Sequence, residues 1–286
     1  RLELGWRVVP ERLELTSSRI VLPRGNWVSD MPPVARSGPE ILAGSNLDGS
    51  AVSWFDANWM FFSWAFALFG TGVLVARFPL RDAHWVGWLA PVAYWFHQAE
   101  EHAFDLRGWR YAFVPALNQG FGRSLFGDAC PPDFAGCPVD PRMTTCINVV
   151  AIWFGFGGCM LMARRFPERF LFAGMLNWGT AVVNGFAGHL LQVVLTRSYN
   201  PGSAQSAVMV PLGLYIIWGT GRPWLCLANG LLFHVIAFGV GVNAVLRAHA
   251  PETLTTIAFN ALCGFVLPLA ISDLVRHPTT KYKLLL

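Results

Sequence analysis

His97, Glu100 and Glu101 lie in the stretch YWFHQAEEHAFD, residues 94–105, and residues 85–96 carry no charged side chain. On an α-helix, positions i, i+3 and i+4 share a face, so one imidazole and two carboxylates project together. That donor set suits a divalent metal ion. Zinc accepts imidazole nitrogen and carboxylate oxygen at about 2.0–2.2 Å, and iron in helical bundles uses Glu and His three residues apart. His102, at i+5 from His97, points about 140° away on the same wheel and is expected to serve another role or face a loop. The inverted zinc-protease pattern His-x-x-Glu-His is not met, because Glu101 intervenes between Glu100 and His102. The same groups could relay protons: adjacent carboxylates repel, so one of them can exchange a proton near neutrality. Non-covalent haem with two axial histidines is a third use, since no c-type attachment motif is present.

What must position these groups follows from composition. The 286 residues are 54% hydrophobic and 13% charged, against about 25% charged in soluble domains. Seven continuously apolar segments are expected to be spans, at 54–77, 84–104, 145–163, 169–196, 204–220, 223–247 and 253–275. None alternates as a barrel strand would, and only helices or closed barrels satisfy the backbone in lipid. The expected fold is an all-α polytopic transmembrane bundle over 54–275, with a polar tail at 1–53 and a short basic tail at 276–286. Met31 is a candidate natural start. The only lysines are Lys281 and Lys283 and the arginines are scattered, so no nucleic-acid footprint is expected.

The link 105–144 is long enough to be functional or disordered. It holds Cys130 and Cys137, read either as an external disulfide or as two reduced thiols. Nine Arg and Lys fall on the C-terminal side of the seven-span arrangement against six on the other. The positive-inside rule then places the protein in a bacterial plasma membrane with a cytoplasmic C-terminus and an external 105–144 loop. Trp54, Trp59, Trp85, Trp88, Trp95 and Trp109 read as interfacial belts.

Polar residues within the spans fall at one depth. His97 to His102 end the second span, Asn184, His189 and Gln192 end the fourth, and Asn148 begins the third; His234 lies midway along the sixth. In an up-down bundle these meet in one half of the membrane, leaving the other half bare apart from Asp273. A charged group there costs about 2.5–3.5 kcal/mol and marks a functional site by default. His189 and His234 would thus add ligands from other spans. Asp56 and Asn58 read as a helix start. Tyr199-Asn200-Pro201-Gly202 reads as a type II turn, with the Tyr199 hydroxyl in reach of the site.

With His97-x-x-Glu100-Glu101, His189 as a further histidine and Tyr199-x-Pro201-Gly202, the chain resembles the HXXEE family of uncharacterised, membrane-associated proteins, over roughly residues 54–247. The resemblance implies a shared site and brings no reaction with it.

The expected function is a metal-dependent membrane enzyme, a hydrolase or oxidoreductase, acting on a lipid-like or other apolar small molecule. His97, Glu100, Glu101, His189 and His234 are the candidate ligands of zinc or iron, and Glu100, Glu101 and Tyr199 the candidate catalytic groups. Membrane lipid is the expected partner. A proton- or cation-coupled transporter using the same cluster and a non-catalytic assembly protein are the alternatives.

Overall fold

The computed structural model describes residues 46–47, 50–51, 53–77, 83–108, 111–119 and 138–275. Cys130, Cys137, Trp109 and the tail 276–286 lie outside these residues, as does most of the tail 1–53. A two-residue ladder pairs β1 (Asn46–Leu47) with β2 (Ser50–Ala51) antiparallel. Every other described element is helical. They are α1 (Trp54–Arg77), α2 (Ala83–Gln98, continuing through Ala99–Ala103), α3 (Phe113–Gln119), α4 (Pro141–Arg165), α5 (Pro167–Thr196), α6 (Ser203–Gly219), α7 (Pro223–Ala248) and α8 (Glu252–Val275).

The helix starts are written locally. The Ser53 hydroxyl accepts from the Asp56 N–H at 3.1 Å and donates to its carboxylate at 2.7 Å, a reciprocal cap. Asp140 accepts from the Met143 N–H at 2.8 Å ahead of Pro141. Proline also opens α5 and α7, where the missing N–H costs nothing.

Five helices, α1, α4, α5, α7 and α8, are long and apolar enough to cross a membrane. The expected count of about seven is not confirmed: among the described residues α2 and α6 fall outside this group. The 17 residues of α6 rise about 25 Å, short of about 30 Å of hydrocarbon. The second segment ends in a polar π-helical turn, Ala99–Ala103, whose Glu100, Glu101 and His102 reduce its apolar character.

Helix α5 occupies the middle. Of its most apolar stretch 78% is buried, against 28% in α1 and α8. Its Leu176, Trp178 and Ala181 pack with Ala90 of α2, Ile217 of α6 and Cys226 of α7. Backbones meet directly between α5 and α7: a Cβ on Gly179 would lie 1.9 Å from the Cys226 carbonyl oxygen. One on Gly230 would lie 2.3 Å from the Gly179 oxygen. By contrast Leu68, Phe69 and Val75 of α1 and Leu274 of α8 are exposed, the surface expected of helices facing lipid.

Three expectations change. Trp59 is no belt residue: it is buried and its indole donates to the Tyr111 hydroxyl at 2.9 Å. The half of the bundle away from His97 is not bare either, because Asn177, Thr180 and Asn229 are buried there, with the Asn229 amide 3.2 Å from Thr180 Oγ1. Finally, the first part of the 105–144 link folds inward. Tyr111 and Val114 are fully buried, and Asn118 exchanges hydrogen bonds with Val139 at 2.9 Å.

Candidate metal centre

Two helices and one turn build the site. Helix α2 supplies His97 from its last α-helical turn and Glu101 from the π-helical turn; α5 supplies His189 from its own π-helical stretch, Asn184–Leu190. Glu101 Oε1 lies 3.2 Å from His97 Nε2 and 2.8 Å from His189 Nε2. The two rings stand nearly perpendicular with centroids 4.5 Å apart. All three side chains are buried, and one donor atom of each lies within 4.8 Å of the others, so the group could hold a metal ion. Ligands at about 2.0–2.1 Å around a tetrahedral ion sit about 3.3 Å apart, near the 3.2 and 2.8 Å that separate Glu101 Oε1 from the two imidazole nitrogens.

His102 was not expected here. Its Nε2 lies 3.4 Å from Glu101 Oε2. The 140° separation assumed α-helical winding; the wider π turn swings His102 back toward the carboxylate. No residue type in the sequence announces a π turn, though the polar run 100–102 (Glu, Glu, His) is the signal that something must pair there.

The turn 199–202 forms the opposite wall. The Ser203 N–H bonds to the Asn200 oxygen at 3.0 Å, and Gly202 has φ 87° and ψ −9°, the type II turn expected of Pro-Gly. Asn200 Oδ1 and the Pro201 carbonyl oxygen stand 2.8 and 2.7 Å from His189 Nδ1. Only glycine fits at 202. A Cβ there would meet Glu101 Cγ at 2.7 Å and His189 Cε1 at 2.8 Å, besides the left-handed backbone. The turn thus fixes the His189 ring, as an outer carbonyl orients a metal-bound histidine.

Glu100, expected as a ligand, faces the other way. Its oxygens accept from the Tyr199 hydroxyl at 2.9 Å and from the N–H groups of Ala204 at 3.2 Å and Gln205 at 2.7 Å. It therefore caps the N-terminus of α6, where a carboxylate is favoured, and pins the turn onto α2. The adjacent glutamates project to different elements, so their shared helical face did not give them a shared role. Tyr199 also accepts from the Leu106 N–H at 3.1 Å. Burial, with the neighbouring Glu100 carboxylate, holds its phenol above the ordinary value and so keeps it a donor.

His234 stands one residue out from the donor group. Its Nδ1 meets the Gly230 carbonyl oxygen at 2.7 Å and its Nε2 meets Asn184 Oδ1 at 3.2 Å. It reaches the site only through Asn184, whose amide nitrogen lies 3.0 Å from His97 Nε2 and 3.4 Å from His189 Nε2. Phe113 of α3 closes the site from the link, its ring 4.9 Å from His189 and 5.8 Å from His102. Asn184 and Asn200 were legible as polar residues at the right depth; Phe113, an aromatic in a link, carried no such signal.

No curated protein and no solved structure matches the chain. The resemblance to the HXXEE family holds over a narrower range than 54–247: residues 88–216, with His97, Glu100, Glu101, His189 and the turn Tyr199–Gly202 inside them, match the family described as protein of unknown function with HXXEE motif.

Proposed function

We propose that the chain is a metal-dependent integral membrane enzyme, with His97, Glu101 and His189 as ligands of one divalent ion, zinc or iron, and an apolar, lipid-like substrate. One observation carries this reading. His189 Nδ1 faces two oxygen acceptors at 2.7 and 2.8 Å, while its Nε2 lies 2.8 Å from Glu101 Oε1. With the ring hydrogen on Nδ1, the Nε2 lone pair would oppose a carboxylate oxygen in a site without solvent. A cation must stand between them, either a proton or a metal ion. Two imidazoles and one carboxylate leave coordination positions open, and such an ion supplies a bound water ionising at about pH 7 or, as iron, oxygen chemistry.

Within this reading Glu100 and Tyr199 are positioning residues that hold the turn. Asn184 offers its amide N–H groups where the imidazole nitrogens converge, His234 fixes that amide, and Phe113 excludes water. The apolar substrate follows from burial of the site among helices fit for lipid. A cytoplasmic C-terminus belongs to this proposal only with seven spans, where nine basic residues fall on that side against six.

The proton alternative has the same observation in its favour: a proton between His189 and Glu101 is the resting state of a proton-coupled transporter. Elemental analysis of wild type beside His97→Ala and Glu101→Ala separates the two. The enzyme reading expects about one zinc or iron per chain, absent from both variants. A metal-free wild type purified without chelator sinks it and leaves the relay.

A further inference from the structure

At the end of α2 remote from His97, a cavity of about 560 Å³ is lined by Val73, Arg77, His84, Trp88 and Arg164. Residues 84 and 97 are separated by about 20 Å of helix rise, so this cavity is distinct from the metal centre. Three helices contribute to it: α1 ends there, α2 begins there and α4 ends there.

The other arginines of this end show what sets it apart. Arg169 forms a two-pronged pair with Asp273 at 2.8 and 2.7 Å, and Arg165 lies over the Phe166 ring at 4.7 Å. Among the described residues neither Arg77 nor Arg164 forms an ion pair. Among the described residues the lining holds two arginines and no carboxylate, a composition that suits an anion, and planar guanidinium forks match phosphate oxygens. Of the other described lining residues, Val73 and Trp88 are apolar and His84 is polar. Val73 is exposed on the same helix as the lipid-facing Phe69 and Val75, and Trp88 is partly buried against Met160 and Phe170.

We propose that Arg77 and Arg164 bind the phosphate group of an anionic phospholipid, with His84 and Trp88 beside the headgroup and an acyl chain lying along α1. A membrane lipid is favoured over a free phosphate because the wall formed by Val73 continues onto the apolar outer face of α1.

The test measures binding of phosphatidylglycerol, phosphatidylcholine and inorganic phosphate to the full chain in detergent micelles by native mass spectrometry. Wild type should prefer phosphatidylglycerol. Losing a membrane-facing arginine costs about fivefold, so Arg77→Gln with Arg164→Gln should weaken it roughly 30-fold. Arg165→Gln, outside the cavity, should bind as wild type. Metal content of the double variant should match wild type, which keeps this outcome separate from that of the metal centre and shows that the variant is folded. Should the double variant misfold, lipid extracted from purified wild type decides: roughly one anionic phospholipid per chain supports the site and none overturns it. Equal affinity of wild type and double variant for phosphatidylglycerol overturns it too. Inorganic phosphate binding as tightly as lipid, and lost in the double variant, overturns the lipid assignment.

Discussion

At its C-terminal end α2 sets Glu101 against three imidazoles in a site closed to solvent, whereas at its N-terminal end His84 and Trp88 share an open cavity with Arg77 and Arg164. One helix thus carries two ways of placing charge in an apolar protein. Where burial is complete, the unpaired ion would cost several kcal/mol, so every charge meets a partner inside the fold. Near the membrane surface the same debt is small, and a guanidinium can wait for a partner from outside. The lesson is that the first end should be fragile to any single change and the second tolerant of most.

The largest effect should come from Glu101→Gln. It leaves three imidazoles without their carboxylate, and losing one member of a buried pair costs about 3–5 kcal/mol. Thermal unfolding in detergent should show this loss together with loss of metal; retention of both would break the contrast between the two ends. Gly202→Ala comes next. A Cβ 2.7 Å from Glu101 Cγ at φ 87° should cost about 1–3 kcal/mol, and metal affinity should fall with it.

Asn200→Ala removes one of the two acceptors at His189 Nδ1. Metal affinity, by competition with a chelator, should drop about tenfold or more while the melting temperature barely moves. Tyr199→Phe is smallest, about 1 kcal/mol for one hydrogen bond to Glu100, with metal retained. Because the folded-state Tyr199 phenol ionises above its ordinary value, its contribution is complete below about pH 10. It declines as pH rises beyond that, as the unfolded chain gives up its proton first. Wild type should therefore lose stability there more steeply than Tyr199→Phe, and identical alkaline profiles would show the phenol to be unperturbed.

Parts of this arrangement were readable from residue types and spacing. The paucity of charge required helices fit for lipid, and His97 with Glu101 on one segment and His189 at matching depth on another predicted a common site. Pro201-Gly202 required the type II turn that forms. The fates of Glu100 and Glu101 were not readable, since neighbours on a helical wheel look alike until the elements facing each are known. Glu100 meets the N–H groups of Ala204 and Gln205, more than a hundred residues away.

By itself, then, the sequence determined the helical class, the depth of the polar groups and the turn, because hydrophobic run length and proline-glycine backbone preferences are local. Tertiary structure alone decided which carboxylate joins the imidazoles, that His102 swings toward them, that His234 stops at Asn184, and that Arg77 and Arg164 line one cavity. Those outcomes depend on π-helical widening of α2 and on helix packing, where one extra residue in a turn redirects every side chain after it.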